Sequence, residues 1–362
     1  MLNNYTEIYH VEDLPVFQNR MFLSEEAALN CLKGNLVLVQ DIETGLIFNK
    51  EFQSQLMQYD ECYQNEQAVS SIFKDHLLSV SKIIARHFRN MSLIELGCGK
   101  GYFLEQLQDQ GFDITGFDPA YEGKNPKIIK KYFDPDVGMN AEGIILRHVL
   151  EHVQNPVKFM TDICQSNEGK GKIYIEVPCF DWICRKRAWF DIFYEHVNYF
   201  RMSDFIRMFD KIFEMGHVFG GQYLYVIAEL ATIKKPVYTN LYSIEFPKNF
   251  LDTIYGYVNR IKSQVSGHGN HSAIWGGASK GVIFGLFMKR AGADIDIVID
   301  INPAKQGKYL PATGYQVVSP TDALKQLAPG SDIFVMNNNY LAEIKEMTNN
   351  QFNYLSVDND NN

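Results

Sequence analysis

The sequence predicts an α/β protein: a small N-terminal domain followed by two successive nucleotide-type α/β units. Three observations carry that expectation. From Ser92 onward, short apolar runs of strand type alternate with helical segments, the pattern of a mostly parallel sheet covered on both faces. A strand, glycine turn and helix start occur together twice, in IELGCGKG (Ile94–Gly101) and AIWGGASKG (Ala273–Gly281). At 362 residues the chain also exceeds what one compact core ordinarily organises.

Along the chain, LVLVQ (Leu36–Gln40) and GLIFN (Gly45–Asn49) flank DIET and read as a hairpin in a first domain, residues 1–80. The spacing of Ile72, Phe73, Leu77, Leu78, Val80, Ile83 and Ile84 predicts a helix leading into the second unit, residues 81–235. There SLIEL, FDITGFD, KIIKKYF, GIILRHV and KIYIEV are spaced as strands, and KIFEM with QYLYVIAEL is expected to close the sheet as a hairpin. After a helical connection (Phe250–Val265), DIDIVIDIN, GYQVVS and SDIFVMNNN supply strands to a third unit, residues 236–362.

Composition narrows the class. With 46% hydrophobic and 21% charged residues the chain has the balance of a soluble globular protein. The net charge is −9, and the basic runs KNPKIIKK and RKR are short, which argues against a nucleic-acid partner. No apolar run approaches the ~20 residues of a membrane span, so no membrane partner is expected. The first residues lack the basic and apolar regions of a signal peptide. Six cysteines without a C-x-x-C pair read as reduced thiols, and a cytoplasmic location is expected.

The first glycine turn is the most informative motif. Gly97, Gly99 and Gly101 allow a tight, Rossmann-like turn and close backbone approach to a ligand. Asp118 ends the next strand, where a carboxylate can accept hydrogen bonds from both ribose hydroxyls of an adenosine. Glu95, inside the end of the first strand, would repel a pyrophosphate but suits a cationic sulfonium amino acid. Together these point to S-adenosylmethionine rather than NAD. Arg147 and His148, at the end of GIILRHV, are assigned to the same cofactor side.

Two further stretches carry titratable groups. RHVLEH holds His148, Glu151 and His152; only His148 and His152 would share a helical face, and no third ligand is evident, so no metal is expected. His152 reads either as a satisfied group in a helix turn or as a residue facing substrate at the carboxyl end of the sheet. FDIFYEHVNYF sets Glu195 and His196 among aromatics, where a buried charge is costly. His196 is either a base, accepting a proton as a neutral imidazole, or structural. In the third unit, the backbone at Gly277 with Lys280 could cradle a diphosphate, and Asp300 and Lys305 could bind sugar. The rival reading is a relic unit that only packs against the second.

The chain resembles the three-domain, S-adenosylmethionine-dependent C-methyltransferases of nucleotide-linked keto-deoxysugars. The likeness covers nearly its whole length, through VEDLPVFQN, GLIFNKEF, YDECYQNEQAVSSIF, ELGCGKG, RHVLEH, IEVPCFDW, YEHVNYF and GGASKG with VIDINPAKQGKYLPATG. The resemblance implies a class I methyltransferase Rossmann-like domain in the middle and a second Rossmann-like domain that helps hold the sugar nucleotide. It implies His196 as the base, with Glu195 beside it and His152, Tyr194 and Tyr199 as candidate donors to an enolate. It also implies that Tyr63 and Asn65 lie near substrate. The chain departs from the family in three ways. QDIETG stands where a zinc-binding cysteine turn is usual, so zinc is expected to be absent. Phe193 stands where a tyrosine is common, and GCGKG replaces an acid-containing turn. O- or N-methylation of a sugar or other metabolite, and a non-catalytic donor-binding role, remain the alternatives. The sugar, the nucleotide and the oligomeric state are left open.

Overall fold

A computed structural model describes residues 4–57, 63–64, 66, 68–133, 140–265 and 271–358. Strands β1 (Tyr5–Pro15), β2 (Lys33–Asp41) and β3 (Ile47–Asn49) pair antiparallel in the order β1-β2-β3. The hairpin expected from LVLVQ and GLIFN is therefore present. Its turn is held by Asp41, whose Oδ1 accepts from the Glu43 and Thr44 N–H groups. The long β1 was not anticipated. Its side chains show little alternation in burial, so its place comes from pairing with β2 rather than from its own apolar pattern.

The central sheet contains β4 (Ser92–Leu96), β5 (Asp113–Phe117), β6 (Ile128–Ile129), β7 (Gly143–Arg147) and β8 (Lys172–Pro178), all parallel. Next in the chain, β9 (Asn198–Tyr199) leaves this sheet and pairs with β3, so the first sheet takes its fourth strand from inside the second unit. Then β10 (Ile212–Val218) and β11 (Tyr223–Glu229) close the central sheet as the expected antiparallel hairpin. The strand order is β10-β11-β8-β7-β4-β5-β6. From β4 the chain builds outward to one side and then returns to build on the other. That reversal opens a crevice beyond the carboxyl ends of β4 and β7.

Local sequence explains these elements. The first four residues of β7 are buried, as a parallel strand covered on both faces requires. The helix Ser71–Phe88 starts at Ser70, whose Oγ accepts the Phe73 N–H, and buries a stripe including Leu77, Val80 and Ile84.

The third sheet is parallel throughout: β12 (Ser272–Trp275), β13 (Ile297–Ile299), β14 (Val317–Val318), β15 (Asp332–Val335) and β16 (Asn353–Ser356), in the order β14-β13-β12-β15-β16. The edge strand β16 was not expected from sequence. A Cβ at Gly281 would run into the carbonyl of Gly276, so only glycine lets the helix Ser279–Arg290 pack onto its own turn. That helix also joins the units. Trp189 stacks on Phe284 at 5.6 Å and contacts Phe287 at 5.0 Å. Burying Phe284 alone contributes roughly 1.5–3 kcal/mol.

Candidate active site

Residues from the carboxyl ends of β4, β7, β12, β13 and β15 line one cavity of ≈ 360 Å³. On its β4 side, Gly97, Gly99 and Gly101 all take positive φ, at +74°, +55° and +83°. A Cβ at Gly97 would strike Val149, and one at Gly101 would lie 2.6 Å from Ile128, whereas the space above Gly99 is open. Of these three, Gly97 and Gly99 line the cavity. Asp118 is not on the wall itself. Its Oδ2 accepts the Gly99 N–H at 2.7 Å and its Oδ1 accepts the Ala120 N–H at 2.8 Å, which fixes the carboxylate directly behind the turn.

Glu95 does reach the wall. It is 2% exposed, and its buried Oε2 has no hydrogen-bond partner among the described residues. Burial pushes its carboxyl up to about 7; Arg147 opposes that shift, while Asp118 and Glu176 add to it. A cationic ligand would remove this penalty by pairing with the ionised form. The residues on this side therefore fit the amino-acid end of S-adenosylmethionine.

Beneath the cavity lies a buried network that sequence reading missed. Glu176, in β8, accepts from Arg147 at 3.0 Å and from the Tyr174 hydroxyl at 2.6 Å. It also meets His148 at 3.1 Å and His76 at 3.5 Å. Burial alone would raise the Glu176 carboxyl, but Arg147, His148 and His76 outweigh it and hold the group well below the usual range. Burial would lower His148, yet hydrogen bonds to Glu151 and Glu176 lift it to about 9. The one available signal was a glutamate inside an otherwise apolar strand, IYIEVP. His148 has φ +53° and so is not helical; the expectation that it shares a helical face with His152 is corrected. Its ring turns back to Glu176 instead. Arg147 stacks over Phe103 at 4.4 Å and, like His148, reaches the wall.

On the opposite side, Glu195 and His196 sit in a buried turn and both line the cavity. They do not bond to each other. Glu195 Oε2 accepts the Gln18 N–H at 3.1 Å, Tyr63 hydrogen-bonds the same carboxyl, and Oε1 is buried without a partner among the described residues. Burial pushes this carboxyl up to about 7. The His196 ring lies 4.1 Å from Phe193 and edge-to-face with His152 at 4.9 Å. Burial, then His152 and His148, hold His196 well below the ordinary imidazole value, so the ring is neutral at pH 7. His152 Nδ1 lies 2.9 Å from the Glu195 carbonyl oxygen.

Residues 70–212 match a family profile described as Methyltransferase domain. The chain carries a methyltransferase domain. The unpaired Glu95 oxygen and the open turn at Gly99 are the features of this domain that fit S-adenosylmethionine as its cofactor. Aligned over 93 residues, the chain is 29% identical to the ubiquinone biosynthesis O-methyltransferase, mitochondrial, of Arabidopsis thaliana. The match takes in 21% of this chain and spans 28% of that relative's length. A S-adenosylmethionine-dependent methyltransferase structure from Archaeoglobus fulgidus is 17% identical, with a TM-score of 0.34 over 44% of this chain and 95% of that one. The Burkholderia thailandensis 1,6-didemethyltoxoflavin-N1-methyltransferase is 14% identical, with a TM-score of 0.33 over 44% of this chain and 80% of that one. No helix of the described residues is long and apolar enough to cross a membrane.

Around the methyltransferase domain, several sequence expectations are corrected. Tyr194 turns away from the cavity; its hydroxyl accepts the Gln53 N–H at 2.9 Å and its ring stacks on Phe52. Tyr199 locks the turn instead, accepting the Phe193 N–H and donating to the Phe193 carbonyl, each at 3.1 Å. Neither tyrosine lines the cavity. His152 cannot serve as a neutral donor to an enolate, because its one N–H is committed to a carbonyl. Where the sequence pairs His148 with His152, the fold instead brings His196 to Glu151 and His152, with one ligand-type atom of each within 4.8 Å of the others.

The third unit's residues reach the wall already partnered. Lys280 pairs with Asp191 at 3.0 Å and Gln222 at 2.9 Å, and lies over Trp182, so it clamps the units together rather than standing free for a phosphate. Asp300 accepts the Gly277 N–H at 2.9 Å and the Asn302 N–H at 2.8 Å, with Lys305 at 3.4 Å. Gly277 itself is behind the wall, while Asn302, which DINPAKQGKYLP offers with Lys305 near the same strand end, lines it with a buried Nδ2 that has no partner among the described residues. Tyr63 lines the cavity, and Asn65 lies outside the described residues.

Proposed function

We propose that the protein transfers the methyl group of S-adenosylmethionine to the carbon beside the ketone of a nucleotide-linked keto-deoxysugar. The observation that carries this reading is a neutral His196 on the cavity wall, whose ring makes no hydrogen bond among the described residues, in the same cavity as Glu95 and the Gly97–Gly99 turn. When bound, S-adenosylmethionine supplies an electrophilic methyl group and a neutral sulfide as leaving group.

The protein's own part is to make carbon nucleophilic. His196 accepts the proton from the carbon next to the ketone, and the C–H electron pair passes into the enolate. The new C–C bond forms as the S–CH3 bond breaks, its electron pair staying on sulfur. With Tyr194, Tyr199 and neutral His152 otherwise engaged, Glu195 is the group left to meet the enolate oxygen. Its Oε1 has no partner among the described residues, and with the carboxyl pushed up to about 7 it is half protonated near neutrality, able to donate an O–H as the charge develops. Holding both reactants between the methyltransferase domain and the third sheet keeps them at attack distance and excludes water. Asn302 and the Asp300–Lys305 pair are the groups offered to the nucleotide end.

The test is a panel of nucleotide-linked 4-keto-6-deoxysugars in deuterated water, with and without S-adenosylmethionine, read by mass spectrometry. Enzyme-dependent deuterium uptake and a gain of one methyl, both lost in His196→Ala with cofactor binding kept, are the expected results. Methyl gain on oxygen or nitrogen without exchange would move the reading to a heteroatom acceptor. Full activity of His196→Ala would remove the base assignment.

A further inference from the structure

We propose that Glu151, His152 and His196 form a binding site for a single divalent cation, with Zn²⁺ the best chemical match. Their ligand atoms lie within 4.8 Å of one another, and all three residues line the methyl-transfer cavity. Donors on one zinc ion at ~2.0–2.2 Å stand closer together than that, so the side chains draw in on binding.

Three observations point to a cation rather than to a chance cluster. Glu151 is 1% exposed, and its buried Oε2 has no hydrogen-bond partner among the described residues. His148 Nδ1 stands 3.4 Å from Oε1, which leaves Oε2 open. A carboxylate oxygen buried without water or a hydrogen bond is costly unless a cation or donor meets it. His152 is already set as a ligand. Its Nδ1–H must donate to the Glu195 carbonyl at 2.9 Å, so the lone pair is on Nε2, the arrangement in which an outer hydrogen bond orients a metal-binding imidazole. The His196 ring supplies the third lone pair. Two imidazoles and one carboxylate with open positions are a donor set that zinc accepts.

The site has a consequence that rests on the enolate reading above, although the site itself does not. A cation on His196 occupies the lone pair that would take the substrate proton. Zinc is then an inhibitor of carbon methylation, and the metal-free protein is the active form.

Chelator-stripped full-length protein, titrated with Zn²⁺ against a chromophoric chelator, decides the site without any turnover. One ion per chain is expected for the wild type. Loss of even an outer hydrogen bond to a ligand costs roughly 10–100-fold in affinity, so Glu151→Gln and His152→Ala should each lose about 100-fold or more. Glu151→Gln is nearly isosteric, and retained S-adenosylmethionine binding confirms that it is folded. No binding by the wild type, or equal binding by all three proteins, overturns the site. In a second arm, methyl transfer is followed as Zn²⁺ rises. Inhibition at the concentration that half-fills the site supports the regulatory role; activation, or no effect at full occupancy, overturns it. If no keto-sugar is methylated at all, the proposed function fails while the titration still decides the metal site.

Discussion

His152 Nδ1 lies 2.9 Å from the backbone oxygen of Glu195, joining positions 43 residues apart. The carbonyl can only accept, so the imidazole carries its proton on Nδ1 and its lone pair on Nε2. One bond thus ties the turn after β7 to the loop bearing Glu195 and His196, and places the two imidazole rings edge-to-face at 4.9 Å. In the reaction proposed above, it also takes His152 out of the set of enolate donors and leaves Glu195 for that role.

That assignment has a pH signature. With cofactor saturating, kcat is expected to fall as pH rises through about 7, because Glu195 loses the proton it donates. His196 is held well below its ordinary value, so it stays unprotonated and contributes no loss on the acid side until well below pH 6.5. Glu195→Gln keeps an N–H donor and should remove the alkaline limb. A pH profile identical to wild type in that variant would exclude Glu195 from the proton balance.

Cofactor affinity should move the other way. Glu95 is pushed up to about 7 by burial, so below that pH it is protonated before the ligand arrives. The cationic end of S-adenosylmethionine favours the carboxylate, so binding must release that proton. Affinity is expected to weaken as pH falls below about 7, by at most roughly tenfold per unit, and to level off above it. Calorimetry in two buffers of different ionisation enthalpy would detect the proton, and Glu95→Gln should bind weakly at every pH.

Tyr194 and Tyr199 separate structure from chemistry. Tyr199→Phe leaves the buried Phe193 N–H without its partner, a loss of about 1–3 kcal/mol. Tyr194→Phe removes one bond to Gln53, about 0.5–1.5 kcal/mol. Urea denaturation should show both losses while kcat at low temperature stays near wild type. Lost turnover in a variant of unchanged stability would return that tyrosine to the mechanism.

Glu176 should be the most sensitive buried position. It is fully buried among Arg147, His148, His76 and Tyr174, and Glu176→Gln leaves the Arg147 charge uncompensated. A loss of about 3–5 kcal/mol is expected in urea or thermal unfolding. Because its folded pKa is depressed, Glu176 contributes its stability above the unfolded carboxyl value of about 4.3 and loses it as pH falls through the lower folded value. The unfolding free energy of the variant should therefore fall less steeply with decreasing pH below about 4.3 than that of wild type.

The amino-acid pattern alone determined most of the two α/β sheets and both glycine turns. Strand periodicity, helix spacing and the need for φ > 0 at Gly97, Gly99 and Gly101 are properties of a residue and its near neighbours, so they are legible before folding. Glu95 behind the first turn was legible for the same reason, since a charge at the end of an apolar strand is anomalous in place. Tertiary structure decided the rest. β1 has no burial rhythm of its own, and the pairing of β9 with β3 crosses about 150 residues, so neither shows in local sequence. Whether Tyr194 meets substrate or Gln53, whether Lys280 meets phosphate or Asp191, and whether His196 joins Glu151 and His152 all depend on which backbone segments the packed core sets side by side. A side chain's type states what chemistry it can do; its long-range neighbours decide which of those chemistries is left open to it.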